Sequence, residues 1–325
     1  MSACSNWPSK PGRFSKHEKD QTVHPAEAPF PILAIQPKWV FEDEAMGSKQ
    51  KFWYREPDTA SPWLFKYPQD NTGQHWSEKI AAEIADALDI LHARVELAVF
   101  QDVRGSTTES FAREGRELFH GNQILAGYML GYDTTRKFRQ SDHTLSNIFS
   151  ALDRVFKQPD MARVAKERMA EYLVLDALVG NTDRHHENWG ILRKRTPNGW
   201  SGMVAPSFDH ASSLGRELMD EGPGRSRQRF LSERRVGGYS EKAPGAIYWE
   251  VTDRRGLSPL ELVRRAAQTW PDSFRRALQF LDKLEEDRIR AIVAKVPEDW
   301  MSDIARAFVV ELTCYNRNQL LLIPA

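Results

Sequence analysis

The stretch GNTDRHHENWG, residues 180–190, sets Asp183, Arg184, His185, His186 and Glu187 in direct succession between two glycines, with apolar runs on either side. Such a segment reads as a metal site, a phosphate-transfer loop or a solvated turn, and its neighbours decide between them. Upstream, RMAEYLVLDALV repeats Tyr172, Leu175, Leu178 and Val179 at helical spacing and stops at Gly180, a common helix terminator. Downstream the period changes to two, so that WGILRK and SGMVAPSF read as strands joined by the Pro-Asn-Gly turn of RTPNGW. A hairpin folded back at that turn brings Asn188, at the opening of its first strand, beside Asp209, at the close of its second. Asp183 sits on the loop leading in.

Two carboxylates and an amide oxygen are hard donors, suited to Mg²⁺ or Mn²⁺ rather than zinc. Magnesium takes few protein carboxylates and completes its shell with water and phosphate oxygens. Asp-x₄-Asn followed by Asp about twenty residues later is the layout of kinase-type phosphoryl transfer, in which the first Asp accepts a hydroxyl proton while Asn and the later Asp hold metal. The adjacent His185 and His186 point in different directions and lack the H-E-x-x-H spacing of zinc hydrolases. They are expected to orient the loop or to contact Asp183 and phosphate, and His185 is counted among the catalytic candidates. His210 and Trp189 are expected to be structural.

Phosphoryl transfer also needs a cation on the nucleotide phosphates, carried by a strand and fixed by an acid on a nearby helix. In WLFKYP, Trp63, Phe65 and Tyr67 share one face of a strand while Leu64 and Lys66 share the other, and KFWYREPDTASP before it supplies the paired strand and turn of a hairpin. Lys66 thus stands in a strongly apolar strand. Glu78 follows in HWSEKIAAEIADALDI, whose Ile80, Ile84, Ala87 and Leu88 have helical spacing, with Ser77 as the expected N-cap. Glu83, further along the same helix, is read as solvated. Gly47-Ser48 in MGSKQK, upstream of Lys66, suits a loop that brings backbone N–H groups to phosphates. A G-x-x-x-x-G-K motif is absent, which excludes a P-loop NTPase.

Composition narrows the class. The chain has 325 residues with 45 basic and 45 acidic side chains, so overall charge points to neither nucleic acid nor membrane as a partner. There is no run of about 18 apolar residues, and the polar N-terminal segment lacks the apolar stretch of a signal peptide. Cys4 and Cys314 make neither a disulfide framework nor a zinc cluster, and a cytoplasmic location is expected.

Residues 1–30 read as a flexible polar tail, 31–117 as a small β-rich lobe with the phosphate loop and lysine, and 118–325 as a larger helical lobe holding the catalytic loop and hairpin. In the first lobe a short strand is expected in PILAIQPKWVF, and two more in ARVELAVFQDV and STTESFA about an Arg-Gly turn. Beyond residue 117 the pattern reads as helical apart from the hairpin. Residues 215–245, rich in Gly and Arg, read as a long surface loop with one helix, and Ile304, Phe308, Val309 and Leu312 mark a buried stripe near the end. The expected fold class is α+β, a chain of two unequal lobes.

GNTDRHHENWG, with FDHASSLG downstream and GSKQKFWY and WLFKYP upstream, resembles the HipA-like kinases, a bacterial family with a two-lobed protein-kinase-like fold. FAREGRELFHGNQIL and PEDWMSDIARAFVVELTCYNRNQL match further segments of that family, so the resemblance runs over roughly residues 40 to 320. It implies a serine/threonine protein kinase dependent on ATP and Mg²⁺ and able to autophosphorylate, with Asp183 as base, Asn188 and Asp209 on metal, Lys66 on phosphate and Glu78 as its partner. It also implies a protein substrate and, for toxin members, a small DNA-binding antitoxin as partner. Toxin members carry a regulatory serine just ahead of the phosphate-loop glycine and a subdomain before the kinase core. Here FEDEAMG has no hydroxyl, Ser48 is the nearest acceptor, and only the polar tail precedes the core.

The loop is also similar to that of type II phosphatidylinositol kinases and, through DRHH, to secreted Golgi kinases, but the chain shows neither a palmitoylated cysteine cluster nor a signal peptide. The alternatives to a protein kinase are a nucleotide-binding pseudokinase or toxin-like interaction module, and a lipid or small-molecule kinase. The basic run GRSRQRFLSERR after Asp209 reads first as a solvated loop and second as a dock for an acidic substrate, with Ser226, Ser232 and Tyr239 as possible phosphate acceptors.

Overall fold

The computed structural model describes residues 28–43, 50–57, 59, 61–197 and 199–324. In chain order they form β1 (Ile32–Ala34), β2 (Val40–Asp43), β3 (Lys51–Tyr54), β4 (Trp63–Lys66), α1 (Gln74–Ala87), β5 (Val95–Phe100), β6 (Val103–Glu109), β7 (Glu117–His120), α2 (Gly121–Ala126), α3 (Leu145–Val155), α4 (Pro159–Val179), β8 (Gly190–Thr196), β9 (Gly199–Val204), α5 (Arg227–Ser232), α6 (Val236–Lys242), α7 (Pro259–Thr269), α8 (Pro271–Phe280), α9 (Glu286–Ala294) and α10 (Asp303–Leu321). This is the expected α+β division, a β-rich N-terminal part and a helical C-terminal part.

The N-terminal strands make a six-stranded sheet in the order β1-β5-β6-β4-β3-β2, antiparallel except where β1 runs parallel to β5. The β3–β4 hairpin forms as the alternation predicts, with Phe52 opposite Phe65 and Lys51 opposite Lys66. Phe52, Tyr54, Trp63, Phe65 and Phe100 pack into one aromatic cluster on the same face. Lys66 alternates to the other face, towards α1, which lies against β5 and β6. Gly105 in β6 allows this pairing, because a Cβ there would meet the Phe65 ring at 2.5 Å and the Lys66 carbonyl at 2.6 Å.

The helical part is built around α4, whose second half, Leu173 to Val179, is buried on every side. It packs against α3, α7, α8 and α10. Ile80 and Ile84 of α1 join the same core and are fully buried, each contributing about 1.5–3 kcal/mol. The core therefore continues from the helical part to the underside of the sheet, which fixes α1 relative to α4. Gly180 ends α4 in the left-handed conformation, φ 68°, as its position in the sequence leads one to expect.

Several expectations are corrected. Ser77 is not the N-cap of α1: the helix starts one turn earlier, with Gly73 at the cap, and the buried Ser77 hydroxyl donates to the Ser213 carbonyl at 2.9 Å. The β5–β6 turn is made by Gln101 and Asp102, both at positive φ, while Arg104 and Gly105 lie within β6. Glu117–His120 is a strand, not helix, and pairs with β8 to give a second sheet in the order β7-β8-β9. Its partner lies about seventy residues on, too far for local periodicity to register. Residues 215–245 hold two helices, α5 and α6, rather than one. Ile304 is only half buried, beside fully buried Phe308, Val309 and Leu312. Phe30, the last residue assigned to the tail, is buried, with its N–H donating to the Lys295 carbonyl at 2.7 Å.

Candidate active site

The residues singled out in the sequence converge from both parts of the fold. Lys66 at the end of β4 meets Glu78 on α1 at 3.1 Å and Asp209, far along the chain, also at 3.1 Å. Burial alone would depress the Lys66 ammonium, but the Asp209 and Glu78 carboxylates more than offset this and hold it well above the ordinary lysine value. The group is therefore a permanent cation at neutral pH. Glu78 is 1% exposed and is held further by the Ser106 hydroxyl of β6 at 3.4 Å, whereas Asp209 is 33% exposed and keeps access from outside. Glu83 pairs instead with Lys79 at 2.7 Å, so it does not compete for Lys66.

Residues 180–190 form a loop organised by Arg184, whose role the sequence does not announce. Its buried guanidinium spends all five N–H groups: two on Asp176 of α4 at 2.7 Å each, one on Ser207 Oγ at 3.0 Å, and two on the carbonyls of Asn188 at 2.6 Å and Phe208 at 3.1 Å. The last two bonds hold Asn188, two residues before β8, and Phe208, the residue before Asp209, to one planar fork. The hairpin alone does not supply that closeness, because the ladder ends at Val204, five residues short of Asp209. The one signal in the sequence was Asp176, a lone acid within the apolar last two turns of α4, residues 172–179.

Asn188 donates its side-chain N–H to the Asp183 carbonyl at 2.7 Å, which closes the loop and leaves its amide oxygen as the donor atom for a ligand. Asp183 receives a bond from Ser212 Oγ at 3.4 Å, and its own N–H donates to Asn181 Oδ1 at 3.1 Å. His185 Nδ1 accepts from the Glu187 N–H at 3.1 Å, so the neutral ring carries its proton on Nε2, 3.9 Å from Asp183. Burial keeps His185 below the ordinary histidine value, and the nearby Asp183 and Asp209 carboxylates oppose that only in part.

His210 and Trp189 are packed as structural residues, as expected. His210 is buried and held neutral far below the ordinary value, and its Nε2 takes the Ser207 hydroxyl at 2.7 Å. His186 Nδ1 bonds the Tyr132 hydroxyl at 2.8 Å, and Trp189 packs under the loop with its indole N–H on His143 at 3.0 Å.

Two contacts fix α1 to the segment after Asp209: the Ser77 bond to Ser213, and the Gly73 N–H on the Arg216 carbonyl at 2.8 Å. Ser77 and Ser106 were not foreseen as site supports. Gly47 and Ser48 lie outside the described residues.

No group of three or more His, Cys, Asp or Glu side chains placed to hold a metal occurs among the described residues. The available donors are the Asn188 amide oxygen and the Asp209 carboxylate, a hard and sparse set that fits a magnesium ion completed by phosphate and water, and does not fit zinc.

Comparison with known proteins agrees with this architecture. The sequence profile described as HipA-like C-terminal domain matches residues 34–300. Serine/threonine-protein kinase CtkA of Helicobacter pylori is 27% identical over 194 residues, which is 57% of this chain and 55% of that protein. The aligned part thus spans about half the length of that relative. Among solved structures, the H. pylori proinflammatory kinase CtkA superposes with a TM-score of 0.69 at 20% identity, covering 90% of this chain and 96% of that one. HipA of Shewanella oneidensis MR-1, solved with HipB and its operator DNA, superposes at 0.54 and 14% identity, covering 90% and 66%. At these identities the two structures speak for the fold.

Proposed function

The chain belongs to the HipA-like C-terminal domain family, and on that premise we propose that it is an ATP- and Mg²⁺-dependent phosphotransferase acting on serine or threonine of a protein. The observation that carries this reading is the meeting of Glu78 and Asp209 on one buried ammonium, Lys66, next to the loop that holds Asp183 and Asn188. Lys66, a permanent cation, neutralises phosphate oxygens, and Glu78 keeps it aimed. Asn188 and Asp209 are the residues that would hold magnesium, which when bound would supply charge neutralisation on the phosphates. Asp183, acceptor-only when ionised, orients the attacking hydroxyl and takes its proton, while the Nε2–H of neutral His185 lies 3.9 Å from the same carboxylate. Arg184 does no chemistry; it holds the loop and the Asp209 segment in register.

Partner assignments follow the same reading. The principal partner is a protein substrate, and the chain is expected to label itself. A small DNA-binding antitoxin-like partner enters by likeness to the Shewanella HipA, which was solved with HipB. Among the described residues no helix is long and apolar enough to cross a membrane.

The test is transfer of label from ATP in the presence of Mg²⁺ or Mn²⁺, to the chain itself and to a generic protein acceptor. Asp183→Asn should cost about 10²–10⁴-fold in rate, and Lys66→Met and Asp209→Asn should reduce transfer severely, with circular dichroism unchanged. No label with either metal would defeat the proposal and favour the pseudokinase alternative, which keeps nucleotide-induced thermal stabilisation without transfer. Label confined to an extracted lipid or metabolite fraction would favour the small-molecule alternative.

A further inference from the structure

A cavity of about 690 Å³ opens immediately beside the catalytic loop, within the size range of ligand sites. Thr182 and Ser212 line one side, and the same Ser212 hydroxyl reaches Asp183 at 3.4 Å. The opposite walls come from α5, α6 and the segments flanking them, the region of the basic run that the chemistry above leaves unused. Five cations line it, Arg216, Arg225, Arg229, Arg235 and Lys242, against the carboxylates of Glu217 and Glu233, a surplus of three positive charges in a chain whose overall charge is zero.

The pairing inside the cavity is uneven. Glu233 is shared by Arg229 at 2.6 Å and Arg235 at 3.0 Å, and Glu217 accepts the Tyr239 hydroxyl at 2.9 Å. Arg225 is held by ring faces instead of an acid, its guanidinium 5.5 Å from the Tyr239 centroid and 5.9 Å from that of Phe230. Neither Arg225 nor the exposed Lys242 has a carboxylate partner among the described residues, although most arginines on the neighbouring helices do. A guanidinium oriented by aromatic stacking and left without a counter-ion is ready for an incoming carboxylate.

We propose that this cavity docks an acidic segment of the protein substrate, on one side of the serine or threonine presented to Asp183. The proposal rests on the phosphotransferase reading for the word substrate, and on the cavity alone for the preference for acidic peptide. A peptide is favoured over nucleic acid because the basic surface is concave and confined, contains two carboxylates, and has apolar walls at Phe230, Ala243 and Pro244. Ser226 and Tyr239, raised as phosphate acceptors, are buried here as a helix cap and as a wall, which makes them parts of the dock.

The experiment uses the full chain and fluorescein-labelled peptides with one central serine, carrying a Glu/Asp run before it, a Glu/Asp run after it, or the matching Gln/Asn runs. Fluorescence anisotropy without ATP reads binding, and label transfer from ATP reads catalysis. The expected result is that one acidic peptide binds at least tenfold tighter than its neutral counterpart, weakening as salt rises. The double variant Arg225→Glu/Lys242→Glu should lose that preference while its nucleotide-induced thermal shift and its labelling of the neutral peptide stay at wild-type levels. Equal binding of acidic and neutral peptides, an unaltered preference in the double variant, or tighter binding of a single-stranded oligonucleotide would each overturn the proposal. Acidic preference without any transfer supports the dock and counts against the catalytic reading; transfer without acidic preference supports the catalytic reading and overturns the dock.

Discussion

Removing Arg184 is the sharpest probe of how the site is held. Arg184 and Asp176 are each 3% exposed, and the guanidinium forms five hydrogen bonds, so Arg184→Ala leaves a buried carboxylate with only the Asn181 amide at 2.8 Å. Breaking a buried ion pair from one side costs about 3–5 kcal/mol. The orphaned acceptors Asn188 O, Phe208 O and Ser207 Oγ add to this, less whatever water recovers in the vacated volume. The expected loss is on the order of 4 kcal/mol, which at a urea m-value of about 3 kcal/mol/M moves the unfolding midpoint by more than about 1 M. The diagnostic is a change of sign. Asp176→Asn should destabilise the wild type, because it breaks the fork, but should stabilise the Arg184→Ala variant, because it discharges the stranded carboxylate. Urea denaturation of the four proteins, followed by circular dichroism, gives the cycle directly. A shift under about 0.3 M for Arg184→Ala, or equal damage from Asp176→Asn in both backgrounds, would refute the assignment of Arg184 as the hub of the loop.

Two further predictions concern the packing under that loop. Burial holds the imidazoles of His143 and His186 down to about 3 and about 4, against an ordinary 6.5. Below pH 6.5 the unfolded chain therefore takes up protons that the native state refuses, and stability should fall with pH towards those folded values, by up to about 1.4 kcal/mol per unit for each ring. Urea midpoints at pH 7.5 and 5.0 check this, with the slope reduced in His143→Gln; a midpoint that holds or rises on acidification contradicts it. Gly121 starts α2 where an added Cβ would stand 2.2 Å from the Trp189 ring. Gly121→Ala should consequently cost about 1–3 kcal/mol through overpacking. Thermal denaturation reads the cost, and an unchanged melting temperature would show that the indole has room to move.

Much of the site was legible because its parts obey local rules. Lys66 could be assigned to the face opposite the aromatic cluster from alternation in WLFKYP alone, and Gly180 could be placed as a helix end from its position after an apolar run. The Asp183 and Asn188 spacing is likewise a property of one short loop. What resisted reading has a common cause. Ser77 looked like a cap because Ser is a good one, but tertiary contact with Ser213 drew the helix start back to Gly73. Glu117–His120 looked helical in a helical neighbourhood because its strand pairing is supplied by β8. Arg184 looked like one charge among five until Asp176, Ser207 and two carbonyls surrounded it.

By itself, then, the sequence determined most of the elements and the face that a side chain such as Lys66 takes, since these follow from backbone periodicity within a few residues. Only the tertiary structure decided which of those groups meet. Lys66 reaches Asp209 across 143 residues because α1, buried into the helical core, carries Glu78 under β4 while Arg184 draws the Asp209 segment to the loop. Contacts of that separation are set by the packing of whole elements, and no local pattern encodes them.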